Sequence, residues 1–438
     1  MRRLAIVEFT MSAGGVERVL KGLAGALLEI PEAEDWDVTL LLARYNSAHK
    51  KVEWPAELTG PRLHVEWMSQ ETAVSRALDP LAHAQGIPGL PFTRIPGYVL
   101  ARTLWKIGPE GFRALVGDSR ALISRASRRF DAMLFTYPFW LEAPPLHCAV
   151  LSSPSDFNFK HFLPEGGLRQ RIHEKALRTW MERSDRLLVY CEAMADELRH
   201  FYPEYAARTV PVPLGVTTGK AAPAPESLAA LRLQHGLPER FALMTGWITP
   251  HKDPLVVIQA AAELRRRGTP LPVVFVGPNA TELADGAPPG FNAAYVAEVR
   301  RAMQEGGLVH GRDVFTLGYV SDDELTRLFH MATAYLFPTR YEGFGLPSLE
   351  ATLAGCPAVV SSIAPLIEQD RVLRGVYRLF EPGNSRALAE QLAWVLEHEE
   401  AARAAARAAI PLLTEHYDWR RTARAYLANV TEVLARRG

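Results

Sequence analysis

Short apolar runs alternate along the chain with longer segments in which apolar residues recur at helical spacing. Residues 3–9 and 37–43 are two such runs, and the segment between them carries Val16, Leu20 and Leu27 at intervals of a helical repeat. Continuous apolar runs are typical of strands buried on both faces of a parallel sheet. The pattern therefore predicts a strand, a helix and a second, parallel strand.

The same alternation continues more regularly in the second half of the chain. Strands are predicted at residues 241–246, 272–277, 313–318, 334–338 and 357–361, and helices at residues 254–267, 295–306, 322–332 and 346–355. Ser321 and Glu324 have the spacing of a capping box in front of the third of these helices. Alternating strands and helices of this kind predict an α/β fold with parallel sheets.

A change in composition divides the two halves. Proline, glycine and alanine cluster at residues 209–226, where the periodicity disappears. We predict two α/β domains of similar size. The N-terminal domain is predicted at residues 1–213 and the C-terminal domain at residues 214–414. A final helix within residues 415–438 can pack on either half, and we assign it to the first.

Composition excludes several classes of protein. The chain has 438 residues, enough for two domains, and its 49 basic and 49 acidic residues cancel, which is atypical of a nucleic-acid binder. Its three cysteines form no metal-binding pattern and cannot all pair, which favours a reducing compartment. Glu8 interrupts the apolar N-terminal run, and no apolar stretch reaches the roughly 18 residues of a membrane span. We therefore expect a cytoplasmic protein.

Residues 94–129 differ from the rest of the first half. They hold eight basic residues against Glu110 and Asp118, interleaved with apolar residues such as Trp105 and Phe112. A basic amphipathic segment can lie on an anionic membrane surface, so one interpretation is peripheral contact with the cytoplasmic face of a membrane. The alternative is a helical insertion whose arginines are solvated.

The strongest candidate for chemistry lies at residues 337–357. Glu342 and Glu350 are separated by seven residues, and Gly343, Phe344 and Gly345 follow the first of them directly. A predicted strand ends just before this loop, and Leu346 opens a predicted helix with proline next to it. Free N–H groups and the helix dipole make such a loop an anion site.

The two carboxylates indicate what else the ligand carries. Beside a phosphate they would repel it, unless each is directed at other groups, and sugar hydroxyls are suitable partners because a carboxylate accepts several hydrogen bonds. The residue types at this spacing therefore predict a ligand with phosphate and polyol parts. A nucleotide sugar has both.

Here the chain resembles the GT4 family of glycosyltransferases, in which two glutamates seven residues apart with an intervening Gly-Phe-Gly mark the donor site. Residues 317–362 match the family pattern nearly throughout, and residues 245–264 match its diphosphate-binding loop. In the first half mainly residues 12–20 match. The resemblance implies a GT-B fold, in which two Rossmann-like, doubly wound domains face each other across a cleft. It also implies retention of anomeric configuration, without a metal or a cofactor other than the nucleotide-sugar co-substrate.

Family roles can be assigned to individual residues by this resemblance. Glu342 would contact the transferred sugar, Glu350 the ribose, and Lys252 the diphosphate. The remaining assignments are backbone contacts: Gly343, Phe344, Gly345 and Leu346 to sugar and phosphates, Gly14 and Gly15 to the phosphates from the opposite domain, and Tyr319 and Val320 to the base.

One position departs from the family pattern. Trp247 stands where the family usually has an arginine that joins the lysine on the diphosphate, and Arg340 is a candidate to replace it. Lys252 is the only lysine after Lys220, which supports a specific role for it. On the acceptor side His147, Asp156 and His161 are candidates, and we favour Asp156.

We predict transfer of a hexose from a GDP-, UDP- or dTDP-sugar to a saccharide, lipid-linked or small-molecule acceptor, in glycan or polysaccharide biosynthesis. The main alternative is a catalytically weak GT-B partner subunit or scaffold, favoured by Trp247. A dehydrogenase is disfavoured because Gly14 and Gly15 do not complete its glycine fingerprint. An epimerase or phosphorylase of the same fold is not expected to contain the run of residues 342–347.

Overall fold

The computed structural model describes residues 1–8, 15–43, 53–68, 119–136, 142–217, 222–284, 286–287 and 292–437. Within these ranges the strands form two parallel sheets, one in each half of the chain. The strands of the first sheet are β1 (Arg2–Glu8), β2 (Trp36–Ala43), β3 (Leu63–Met68), β4 (Ala132–Phe135), β5 (Ala149–Ser152), β6 (Arg186–Val189) and β7 (Thr209–Pro211). The strands of the second are β8 (Ala242–Thr245), β9 (Val273–Val276), β10 (Val314–Leu317), β11 (Ala334–Phe337), β12 (Ala358–Ser361) and β13 (Arg378–Phe380).

Helices cover both sheets. Those of the first half are α1 (Gly15–Glu29), α2 (Ser119–Ala126), α3 (Asn158–Phe162), α4 (Leu168–Arg183) and α5 (Glu192–Phe201). They are followed by α6 (Pro225–His235), α7 (Pro254–Arg266), α8 (Ala293–Glu305), α9 (Asp322–Met331), α10 (Leu346–Leu353), α11 (Ala364–Val372), α12 (Ser385–Glu397), α13 (Glu399–His416) and α14 (Trp419–Arg437). Short 3-10 turns lie at Pro31–Asp35, Ala56–Leu58, Pro203–Arg208 and Ala280–Leu283.

The strand order of each sheet indicates where its ligand-binding crevice can lie. The first sheet runs β3-β2-β1-β4-β5-β6-β7 and the second β10-β9-β8-β11-β12-β13. The chain reverses direction of winding between β1 and β4, and again between β8 and β11. In doubly wound sheets the ligand crevice lies at the carboxyl ends of the strands that flank this reversal. The loops after β8 and β11 therefore frame the expected crevice of the second half.

Burial on both faces explains why these strands are continuous apolar runs. All four residues of β11 and of β9 are buried, as are those of β4 to β6. The strands and helices predicted from periodicity are confirmed, each within one or two residues of its observed ends. Ser321 and Glu324 form the predicted capping box. In the first half the prediction included only β1, α1 and β2, so β3 to β7 were omitted. In the second half it omitted β13, whose three residues carry too little pattern to be recognised.

The last helix, α14, returns to the first half and packs along α1. Trp419 lies against Gly22, where a Cβ atom would overlap the indole ring. A glycine inside a helix costs about 1 kcal/mol relative to alanine. At Gly22 this cost is offset by the close approach of the two helices. Arg186 of β6 also binds α14, through a hydrogen bond of 2.8 Å to Asn429.

The chain crosses between the halves twice, and the two crossings lie side by side. The N–H group of Val216 donates to the carbonyl of Tyr417 at 2.8 Å, and Val216 pairs with Asp418 in a parallel bridge. The predicted domain boundary at residue 213 falls just before the first crossing. The predicted boundaries themselves stay a prediction.

Several sequence-based expectations fall outside this description or stay open. Residues 94–118 of the basic segment lie outside the described residues, and of its remainder only α2 and the turn after it are described. In the part of the chain with described positions, no helix combines the length and apolarity needed to cross a membrane. The three cysteines are buried and unpaired. Cys356 lies, fully buried, between α10 and β12.

Candidate functional site

The loops that follow β8 and β11 are joined to each other by hydrogen bonds. The carbonyl of His251 accepts from the N–H of Arg340 at 2.7 Å and from the hydroxyl of Thr339 at 3.0 Å. The Arg340 guanidinium also binds Asp253, which is 1% exposed, at 2.7 Å. These contacts hold the loop of Lys252 against the loop of Glu342, so the two predicted donor-binding segments form one unit.

Lys252 and Glu342 meet directly between these loops. Their ammonium and carboxylate groups form an ion pair, and the Thr339 hydroxyl donates to the same Glu342 oxygen at 3.1 Å. The ammonium also lies 5.3 Å from the centre of the Phe337 ring. Less than a fifth of each side chain is exposed. The two predicted residues are thus fixed in place next to each other at the carboxyl end of β11.

The glycine loop leads into the N-terminus of α10. Gly345 has φ of +95°, a left-handed conformation that glycine adopts without strain, and caps the helix. The Gln369 amide donates to the carbonyl of Phe344 at 2.7 Å, and the Ser348 hydroxyl donates to that of Gly345 at 2.6 Å. The loop thus leads directly into the N-terminus of α10, where the first N–H groups of a helix have no partner within it and can bind an anion.

The first half reaches the same place through the segment after β5. Gly343 packs on the backbone of Ser155, so closely that a Cβ atom would overlap its carbonyl oxygen. The next residue, Asp156, accepts a hydrogen bond of 3.0 Å from the N–H of Asn158. Burial, with the nearby carboxylates of Glu342 and Glu197, raises the pKa of Asp156. The structure therefore brings Asp156 of the first half to Lys252 and Glu342 of the second.

Tyr341 forms a second contact between the halves. Its hydroxyl accepts from the N–H of Phe157 at 2.6 Å and donates to Glu197 at 2.8 Å. The other oxygen of Glu197 binds the ring of His161, which lies 4.6 Å from the Tyr341 ring. His161 is thus a partner of this interface. The sequence did not indicate Tyr341 or Glu197, because neither belongs to the motif that defines the donor loop.

Glu350, the other predicted carboxylate, is held by Arg18 of α1. One guanidinium nitrogen lies 3.1 and 2.8 Å from the two oxygens of Glu350, and another lies 3.3 Å from Asp322. Burial opposes the charge of Arg18, but the two carboxylates outweigh it and raise the pKa of Arg18. Sequence reasoning missed Arg18, although it stands three residues after Gly15 in the stretch that resembles the GT4 family.

The other candidates lie at different positions. Tyr319 and Val320 follow β10 beside Arg18, and the Tyr319 side chain is 65% exposed. Trp247, directly after β8, is 45% exposed. His147 lies before the amino end of β5, whereas Asp156 lies after its carboxyl end. The prediction of His147 as a site residue was therefore wrong. Gly14 lies outside the described residues, and Gly15 begins α1.

Among the residues with described positions, no group of three or more His, Cys, Asp or Glu side chains is arranged to hold a metal ion. Asp35 and Asp37, two carboxylates one residue apart, lie at the start of β2 in the first half, and the Asp37 carboxylate lies 3.0 Å from the His64 ring. That the reaction needs no metal stays a prediction.

His251 makes the free energy of unfolding depend measurably on pH. Burial and the charge of Lys252 lower the pKa of His251 from 6.5 to about 4. Between these values the unfolded chain binds a proton that the folded protein excludes, so the free energy of unfolding decreases as the pH falls from 6.5 to about 4. We expect His251→Asn to make this decrease smaller in urea titrations across that range. The exposed His398→Asn is the control, and an unchanged pH dependence in the His251 variant would contradict the assignment.

Comparison with known proteins identifies a family whose sequences resemble the second half of the chain. Residues 231–410 match the family model described as Glycosyl transferases group 1. The chain is 31% identical over 271 residues to glycogen synthase from Mycobacterium tuberculosis, a match that covers 60% of this chain and 58% of that relative. The chain thus spans less than two thirds of the length of this relative.

Solved structures resemble the whole chain. Sucrose-phosphate synthase from Thermosynechococcus elongatus has a TM-score of 0.69 at 18% identity, with 100% of both chains covered. Anabaena HepE, solved in complex with UDP-glucose, has a TM-score of 0.66 at 15% identity, again over 100% of both chains. At these identities the likeness concerns the fold. It confirms the predicted class, two Rossmann-like sheets in the GT-B arrangement.

Proposed function

We propose, from the premise that residues 231–410 are a domain of the family Glycosyl transferases group 1, that this chain is a retaining, GT4-type hexosyltransferase. It takes a hexose from a nucleoside-diphosphate sugar and transfers it to a saccharide, lipid-linked or small-molecule acceptor in glycan biosynthesis. The base can be that of GDP, UDP or dTDP. The structure of Anabaena HepE with UDP-glucose supports a nucleotide-sugar donor for this fold.

One observation carries the proposal. Lys252 and Glu342 of the second half and Asp156 of the first lie together beside the glycine loop and the N-terminus of α10. This set combines a cation and N–H groups for phosphates with carboxylates for hydroxyls. It lies where β8 and β11 flank the reversal of winding, the position at which doubly wound sheets bind ligands.

The chemistry needs a stabilised leaving group. The bond between the sugar C1 and the phosphate oxygen breaks, and the nucleoside diphosphate leaves with the bonding electrons. Lys252 and the N–H groups before α10 stabilise this developing negative charge in a site with little water, where such interactions are strongest. Glu342 holds hydroxyls of the hexose while C1 becomes electron-poor.

Retention follows if the acceptor attacks from the face that the phosphate leaves. The acceptor oxygen forms the new bond to C1, and its proton passes to the departing phosphate oxygen, so no protein nucleophile is required. Asp156 lies on the acceptor side and accepts a hydrogen bond from a hydroxyl of the acceptor. Its raised pKa is consistent with a carboxyl group that is shielded from water beside other carboxylates.

A catalytically weak partner subunit is the second candidate, and Trp247 is the observation that favours it. A neutral indole cannot supply the charge of an arginine. Release of nucleoside diphosphate distinguishes the two candidates, because a scaffold without turnover releases none. An epimerase would convert the donor without transferring its sugar to an acceptor.

The test is an assay with GDP-, UDP- and dTDP-hexoses that measures nucleoside diphosphate released when the hexose passes to an added saccharide acceptor or, by hydrolysis, to water. We expect turnover with one of these donors. Glu342→Gln should lower kcat/KM about 10- to 100-fold, because a hydrogen bond to a charged group contributes about 1.5–3 kcal/mol. Glu390→Gln, which alters an exposed ion pair with Arg386, is the matched control. Equal activities of the Glu342 variant and the wild type would refute the site.

A further inference from the structure

Arg18 connects the two halves at the nucleotide end of the site. It lies in the first turn of α1, directly after the loop that is proposed to approach the phosphates. Its guanidinium binds both oxygens of Glu350 and one of Asp322, and a quarter of its side chain is exposed. It is the cation that holds the proposed ribose carboxylate.

Charge around Arg18 is unbalanced. Two carboxylates, Glu350 and Asp322, face one guanidinium, which leaves an excess of one negative charge beside the proposed diphosphate. A ribose that donates its hydroxyls to Glu350 takes over the lone pairs that Arg18 now uses. The guanidinium, at the end of a long side chain, is then free to turn to another anion.

The donor site otherwise has few cations. Trp247 contributes none, and Arg340 is bound to the buried carboxylate of Asp253, which would be left buried and unpaired if Arg340 moved. Lys252 already serves Glu342 as well as the diphosphate. Among the described arginines of this crevice, Arg18 is the one whose present partner, Glu350, is itself proposed to bind the nucleotide.

We propose that Arg18 is the second cation of the diphosphate site, supplied by the opposite half of the chain and held by Glu350 and Asp322 until a nucleotide binds. This inference rests on the proposed function. When ribose occupies Glu350, the fork of N–H groups on Arg18 binds the diphosphate oxygens in two-point fashion. The nucleotide thereby recruits α1, and the first half contributes charge to the donor site.

Calorimetric titration of the full chain tests the proposal. UDP, GDP and dTDP are each titrated beside their nucleosides, and the pair that the wild type binds is used further. Arg18→Gln should weaken nucleoside diphosphate binding about 10- to 100-fold, the range for loss of charged hydrogen bonds. Nucleoside binding should be unchanged or stronger, because Glu350 no longer has Arg18 as a competitor. Arg18→Lys should fall between the two, since an ammonium cannot bind in two-point fashion.

A matched control and the opposing outcomes separate the explanations. Arg129 also binds both oxygens of a glutamate, Glu66, and Arg129→Gln should leave both affinities unchanged. Parallel loss of nucleoside and nucleoside diphosphate binding in Arg18→Gln would assign it a structural role and overturn the proposal. Unchanged diphosphate affinity would also overturn it, while leaving the proposed function intact. If the wild type binds none of the nucleotides, the proposed function fails, and this inference fails with it.

Discussion

Lys252→Ala is expected to lower kcat/KM about 100- to 1,000-fold, the loss typical when one preorganised group that stabilises the developing charge is removed. The ammonium is held by Glu342 and lies over the Phe337 ring, so it is positioned before the donor binds. The effect should fall mainly on kcat, because charge on the diphosphate increases as the bond breaks. The measurement is steady-state release of nucleoside diphosphate.

Two further variants test whether the loss of the positive charge of Lys252 causes the loss of activity. Lys252→Arg keeps the charge but not the compact shape, and should recover part of the lost activity. Lys175, the control, also forms an ion pair with a glutamate, Glu142, at 2.8 Å, but its side chain is 70% exposed. Lys175→Ala should therefore leave the kinetics unchanged. A Lys252→Ala enzyme with wild-type kcat would show that the diphosphate is stabilised elsewhere.

Gly343→Ala should displace the first half of the chain from the donor loop. The added Cβ atom would overlap the carbonyl oxygen of Ser155, and backbone on both sides must shift to make room. We expect transfer to fall by about 100-fold or more, since displacements near 1 Å at a reacting centre have effects of that size. Nucleotide binding should fall less than transfer, because Lys252, Glu342 and Glu350 all belong to the second half and the first half contributes only Arg18.

The control for this substitution is another glycine. At Gly25 in α1, a Cβ atom would come no closer than 3.7 Å to Leu58, an ordinary contact. Gly25→Ala should keep full activity and slightly stabilise the helix. Kinetics and nucleotide titration of both variants decide the matter. Full activity in Gly343→Ala would mean that the packing of the donor loop on Ser155 has no role in transfer.

Periodicity was sufficient to predict the fold class and seven of the thirteen described strands. Parallel strands such as β9 and β11 are buried on both faces, so their apolar runs end where the strands end. The donor loop was also predictable, because Glu342, Gly345 and Glu350 lie close in sequence and act through local geometry. Strand β13 was not, since three residues at a sheet edge carry no period.

The contacts between the two halves of the chain could not be predicted from the sequence. Arg18 and Glu350 are separated by 332 positions, and Tyr341 and Glu197 by 144. No local pattern pairs residues across such distances, and a single arginine in an arginine-rich chain is not distinctive. His147 was misjudged for a related reason. It is close to Asp156 in sequence, but β5 lies between them and places them at opposite ends of the strand.

The paired crossings at Val216 and Tyr417 restrict how the crevice can open. Two covalent connections that are hydrogen-bonded to each other act as one pivot, so the halves can rotate about that place but cannot slide apart. Points far from the pivot move most in such a rotation. The contact of Arg18 with Glu350 and that of Tyr341 with Glu197 would both break in an open form. Product release would then depend on the rate at which these ion pairs and hydrogen bonds are lost and formed again.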